Sequence, residues 1–101
     1  GKNKYGNETV LTSVTLLNGF VKRNDLWSKN GRVKLIKLYI NDKPFAFLDV
    51  DDSRAYQTFN LGRISSTSGF TLKFEIAEIY PGTVYEDVVL SYLDFDGDGV
   101  L

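Results

Sequence analysis

An all-β fold, an antiparallel β-sandwich, follows from three observations on this 101-residue chain. Apolar side chains recur at every second position in several short runs. Gly, Pro, Asn and Asp interrupt those runs roughly every 10 residues, and only one short segment has any helical potential. Short alternating strands joined by such turns indicate a sandwich or barrel.

The elements follow in order. "VTLLNGF" (14–20) is apolar and β-branched, the first strand. "KRNDLWSKNG" (22–31) is polar and short, a loop with one helical turn near 23–30. "RVKLIKLYIN" (32–41) alternates, placing Lys34, Ile36, Leu38 and Ile40 on one face and Val33, Leu35, Lys37 and Tyr39 on the other. "NDK" (41–43) turns the chain back into "PFAFLDV" (44–50), with Phe45 and Phe47 on one side, so the two strands form a hairpin. "YQTFNL" (56–61) is a strand ahead of a flexible "GRISSTSG" (62–69). "FTLKFEIAEIY" (70–80) sets Phe70, Leu72, Phe74 and Ile76 against Thr71, Lys73 and Glu75, a period of 2 and not 3.6. "PGTVYED" (81–87) breaks that strand and "VVLSYLDF" (88–95) closes the series. The expected core is Leu38, Ile40, Leu72, Phe74 and Ile76.

Composition excludes whole classes of function. A net charge of −1 supplies no basic field for nucleic acid or an anionic membrane. No apolar run reaches the roughly 18 residues of a membrane-crossing helix, so no membrane insertion is expected. With no Cys there is no disulfide, thiol nucleophile or zinc-thiolate site. With no His there is no imidazole ligand and no Ser-His-Asp triad. A carboxylate pair remains possible among Glu8, Glu75, Glu78 and Glu86, but nothing singles out an acid and a nucleophile, and no enzyme is expected. The absence of Met suggests that residues 1–101, read as one monomeric domain, are a segment of a larger protein.

Several stretches carry a family likeness: Asn18-Gly19-Phe20-Val21-Lys22, Leu26-Trp27, Asn30-Gly31-Arg32-Val33-Lys34, Leu38-Tyr39-Ile40-Asn41-Asp42-Lys43-Pro44 and Tyr80-Pro81-Gly82-Thr83-Val84-Tyr85-Glu86-Asp87. They resemble the NADase-type glycan-binding domain, a discoidin-like, galactose-binding-fold module of secreted and surface proteins. The likeness spans about residues 5–97. It implies a jelly-roll sandwich that binds carbohydrate with loops at one end and does not catalyse. Against that pattern the chain reads as N-terminally shortened, and it carries Val88-Val89-Leu90-Ser91 where members tend to have "TAIS".

The candidate ligand residues are Trp27, Asn24, Arg32, Tyr56, Tyr80, Tyr85 and Asp87. Aromatic faces pack on the C–H surfaces of sugars, while Asn, Asp and Arg take the hydroxyls. Trp27 has two readings, a sugar platform in "NDLWSKNG" or a plug at the bottom of the sandwich. For the 80–87 turn a fold-defining role is the better reading, with Gly82 at positive φ in a type II turn and Asp87 bonded to backbone N–H groups or Arg32. Lys22, Arg23, Arg32, Lys34 and Lys37 form a basic cluster, read as solvated strand face.

Two acidic stretches raise calcium. "DFDGDGVL" places Asp94, Asp96 and Asp98 at alternate positions ahead of Gly99, as an EF-hand loop begins. A strand and not a helix precedes it, and the twelfth-position acid would fall at residue 105, so an acidic strand-end turn is the better reading. "DVDD" (49–52) puts Asp49 and Asp51 on one face, where a structural calcium is possible, with Arg54 as a competing salt-bridge partner. No other cofactor is expected. The alternative to glycan binding is a structural or protein-interaction domain without a small-molecule ligand.

Overall fold

The structure, a computed structural model, describes residues 9–97. Its elements are β1 (Thr9–Asn18), α1 (Asn24–Lys29), β2 (Arg32–Ile40), β3 (Lys43–Asp49), β4 (Tyr56–Ser66), β5 (Leu72–Tyr80) and β6 (Leu90–Asp96). They form two three-stranded antiparallel sheets, β4-β1-β6 and β3-β2-β5, packed face to face. The fold is the expected all-β antiparallel sandwich.

The central strand of each sheet supplies most of the fully buried side chains. Leu11, Val14 and Leu16 of β1 meet Val33, Ile36 and Leu38 of β2, all with 1% exposure or less. Each such side chain stabilises the fold by about 1.5–3 kcal/mol relative to exposure. Outer strands add half-buried residues, with Phe74 of β5 stacking on Phe95 of β6 at a centroid distance of 5.3 Å.

Alternation in β2 holds from Ile36 onward and slips before it. Val33 is buried although the sequence pattern places it opposite Ile36. The β2–β5 register shifts between Val33 and Leu35 and again between Leu35 and Ile36. Such a bulge changes which parity faces the core. Across from β2, Ile76 pairs with the buried Ile36, so it points inward as expected, yet it is 51% exposed. Edge position explains this. The facing sheet ends at β6, and no described side chain covers Ile76 as Phe95 covers Phe74, so Ile76 does not belong to the core.

Two strands are longer than their patterns suggest. The first begins at Thr9 and not at Val14, and β4 runs through Gly62 to Ser66, where a flexible segment is expected. Each completes the other. Thr9, Val10 and Leu11 pair with Ser66, Ser65 and Ile64, and the irregularity opposite residues 61–63 absorbs the glycine. The β2–β3 hairpin turns on Asn41 and Asp42, both at positive φ (51° and 66°), as a two-residue type I′ turn requires.

Candidate functional site

All seven candidate residues lie at one end of the sandwich. There β1 and β5 finish, β2, β4 and β6 begin, and α1 and the 81–87 loop lie between them. Six residues are too few for a helix to persist alone. What holds α1 is its C-terminal carbonyls, since a helix end leaves several without intrahelical partners. Backbone N–H groups of Thr83, Val84 and Tyr85 donate to the Ser28 and Lys29 oxygens at 2.9–3.2 Å. The loop reaches them only because residue 82 is glycine. A Cβ there would collide with the Lys29 oxygen and stand 2.6 Å from the Asn30 carbonyl carbon. Gly82 therefore serves close approach and is not at positive φ, contrary to the type II turn expected.

Arg32 completes the same task with its side chain. Its Nη1 donates to the Trp27, Ser28 and Asn30 carbonyls at 3.2, 3.4 and 2.9 Å. Its Nε and Nη2 fork onto the Asp52 carboxylate at 2.6 and 3.1 Å. Cζ lies 4.4 Å from the centroid of the Trp27 ring. Only 7% of Arg32 is exposed, so a charge removed from water is matched by a carboxylate, three carbonyls and a ring face. The partner is Asp52, not Asp87, whose contribution is a backbone oxygen accepting from Gly31 N–H at 2.7 Å. Nor does Arg32 join the basic cluster of Lys34 and Lys37 on the strand face.

Trp27 is half-buried and its Nε1 donates to Asn18 O at 3.3 Å. Asn18, fully buried, links the two sheets. Its Nδ2 donates to Val33 O (2.8 Å) and its Oδ1 accepts from Val33 N–H (2.9 Å), a side-chain amide standing in for a strand partner. The next residue, Gly19, has φ 78°, and a Cβ there would sit 2.6 Å from Trp27 Nε1. Trp27 thus has the Arg32 guanidinium over one ring face and Gly19 against its Nε1 edge. Among the rest, Tyr80 donates its hydroxyl to Val50 O at 2.8 Å, and Asn24 accepts from Arg54, which also donates to Val21 O. Arg54 therefore serves the α1 loop and not the 49–52 carboxylates. In the first turn of α1, Asp25 is held below the ordinary carboxylate value. Desolvation pushes it up, but the Arg23 hydrogen bond and charge, its own backbone N–H and Lys29 outweigh that.

Tyr85 and Tyr56 behave differently, with ring surface open to solvent. Tyr56 does not face the 81–87 loop. It sits on the outward side of the β4-β1-β6 sheet, in one cross-strand row with Leu17 and Tyr92. The Tyr56 and Tyr92 rings meet edge to face, centroids 5.5 Å apart and planes at 85°. The Tyr92 hydroxyl donates to Asp94 Oδ2 at 3.1 Å, and that bond raises the phenol above its ordinary pKa. Tyr92 is the residue sequence reasoning passed over. Its position opposite Tyr56 depends on a register no local pattern reveals.

For metals, Asp94 and Asp96 are exposed and lie within β6, so the acidic stretch up to Asp96 is strand and not turn. Asp98 lies outside the described residues. Asp49 and Asp51 are exposed. Among the described residues no three His, Cys, Asp or Glu side chains converge as a metal site would need.

Residues 2–96 match the family model described as the NAD glycohydrolase translocation F5/8 type C domain. The chain belongs to that family. The F5/8 type C domain is discoidin-like, in agreement with the resemblance carried by the Asn18–Lys34 and Tyr80–Asp87 motifs. No curated protein and no solved structure matches the chain significantly.

Proposed function

We propose that this domain is a non-catalytic carbohydrate-binding module of a secreted or surface protein, working as a monomer and capturing a glycan at its loop end. The observation that carries the reading is the open ring surface of Tyr85, in the loop at the end where the polar loops gather. Exposed tyrosines on a rigid scaffold offer apolar faces to sugar C–H groups without a large ordering cost. Membership of the translocation F5/8 type C family supports a binding role in place of a catalytic one. In that context, glycan capture would hold a translocated passenger against the surface it crosses.

A glycan array followed by fluorescence titration tests this, because Trp27 is the sole tryptophan and lies beside the loop end. A retained glycan that shifts the Trp27 emission is the expected result. If no glycan is retained and the emission stays unchanged, the domain is a structural or protein-interaction sandwich. One observation favours that second reading: Trp27 and Arg32 are already committed to each other and to the fold.

A further inference from the structure

The outward face of the β4-β1-β6 sheet has an organisation that packing does not require. In a sheet with one solvated face, outward positions are ordinarily polar. Here the row nearest the loop end holds Tyr56 and Tyr92 on either side of Leu17, with the two rings 63% and 42% exposed. Neither ring belongs to the two core clusters. The next row along the strands carries Thr58 and Asp94 on either side of Thr15, and the one after it Asn60 and Asp96 on either side of Ser13. Three rows two residues apart cover about 13 Å. That is an extended track, too long for a single sugar ring, with an aromatic step at one end and hydrogen-bonding groups beyond it.

The chemistry of the track narrows its ligand. Asp94 is pre-set: its Oδ2 accepts from Tyr92 and its Oδ1 from the Phe95 N–H at 2.9 Å. A carboxylate held in this way presents its remaining lone pairs to hydroxyl donors. Asn60 offers both donor and acceptor, although its Oδ1 already accepts from the Gly62 N–H. The three rows contain two carboxylates and no Lys or Arg; Arg63 comes only after the register irregularity. Sulfated, uronic or sialylated chains would be repelled. An ammonium ligand needs ring faces turned on a common centre. The edge-to-face contact instead puts the edge of one tyrosine against the face of the other, leaving outer ring faces for stacking.

We propose that this sheet face binds a neutral oligosaccharide, one sugar stacked on the Tyr56–Tyr92 pair and the next units hydrogen-bonded to Asp94 and Asn60. The proposal rests on the carbohydrate reading of the domain and extends it to a surface outside the loop cluster.

The test is an array of neutral and acidic glycans probed with the whole protein, then calorimetric titration of the best neutral oligosaccharide. Tyr56→Ala and Tyr92→Ala should each weaken binding about tenfold, the scale of a lost aromatic contact. Tyr92→Phe keeps the ring and should retain most of the affinity, while thermal melts confirm that each variant is folded. Phe47→Ala, on the outward face of the opposite sheet, should bind like the parent. Undiminished affinity in both alanine variants, with loss in Tyr85→Ala, would overturn the sheet-face proposal and leave the carbohydrate reading standing. Preference for acidic glycans or for a lysine-rich peptide would also overturn it. Absence of any glycan binding by the unaltered protein would sink both.

Discussion

Leu17 and Asn18, neighbours at the end of β1, open onto two regions built on opposite plans. Asn18 points inward to the Trp27–Arg32 assembly, where N–H groups meet a carbonyl, a carboxylate or a ring. Leu17 points outward between Tyr56 and Tyr92, where ring surface is left in water and a single side-chain bond joins Tyr92 to Asp94. Aromatic and polar residues make up both regions, so residue type does not tell them apart. What differs is whether the hydrogen-bonding and apolar surfaces are already used. An assembly with every partner taken holds a fold together, whereas one with open faces is free to take a ligand.

That contrast breaks if the inner region tolerates change. Arg32→Ala should have the largest effect, about 3–5 kcal/mol, because it leaves Asp52 and the α1 carbonyls without their partner. Urea unfolding measures it, and Arg32→Lys should recover little, since an ammonium cannot fork onto a carboxylate while lying over a ring. Asn18→Ala comes next at about 2 kcal/mol, the cost of leaving the Val33 N–H and C=O unpaired in the interior. A loss below 0.5 kcal/mol for either variant would mean that the inner bonds are incidental.

The outer region should show the reverse. Tyr56→Ala is expected to change stability by no more than about 0.5 kcal/mol, as exposed positions generally do. A midpoint drop of the size seen for Asn18→Ala would make the tyrosine row structural. The smallest effect sharpens the picture of Asp94. Because Tyr92 titrates above the ordinary tyrosine value, through its hydrogen bond to Asp94, that bond persists at neutral pH and is lost as pH rises through the raised pKa. In an absorbance titration the curve should move to lower pH in Asp94→Asn, and in that variant a further Tyr92→Phe change should remove one phenol of ordinary behaviour. An unchanged curve would show that the Asp94 bond does not hold the Tyr92 proton.

Much of this architecture is readable from residue order, and the unread parts share a cause. Period-2 alternation marks β2 and β5 because their faces differ in polarity. The start of β1 is harder, since "TVLTS" mixes hydroxyls with apolar residues and only pairing with 64–66 commits it to a strand. Ile76 follows its pattern in direction but not in burial, because burial depends on what the other sheet covers. At the site, Asp87 reads as a partner for Arg32 and Arg54 as one for the 49–52 carboxylates, and only the folded loop shows that Asp52 goes to Arg32 and Arg54 to Asn24. Asn18 reads as part of the strand 14–20, and nothing local signals that its side-chain amide will bridge two sheets. Tyr56 stood out as an aromatic at a strand start; Tyr92, inside a strand, did not.

The strand order has a consequence for the company the domain keeps. With three strands per sheet, β3, β4, β5 and β6 each have one side unpaired among the described strands. Open edges invite neighbouring molecules to add strands and grow fibres. Each edge carries an obstacle to that growth. Pro44 near the start of β3 has no N–H to offer, and Lys43 beside it is charged. The irregularity near Gly62 bends β4, Lys73, Glu75 and Glu78 charge β5, and Asp94 and Asp96 do the same for β6. Asp94 thereby gains a second use: the carboxylate oriented by Tyr92 also keeps like copies from zipping together along their most acidic edge.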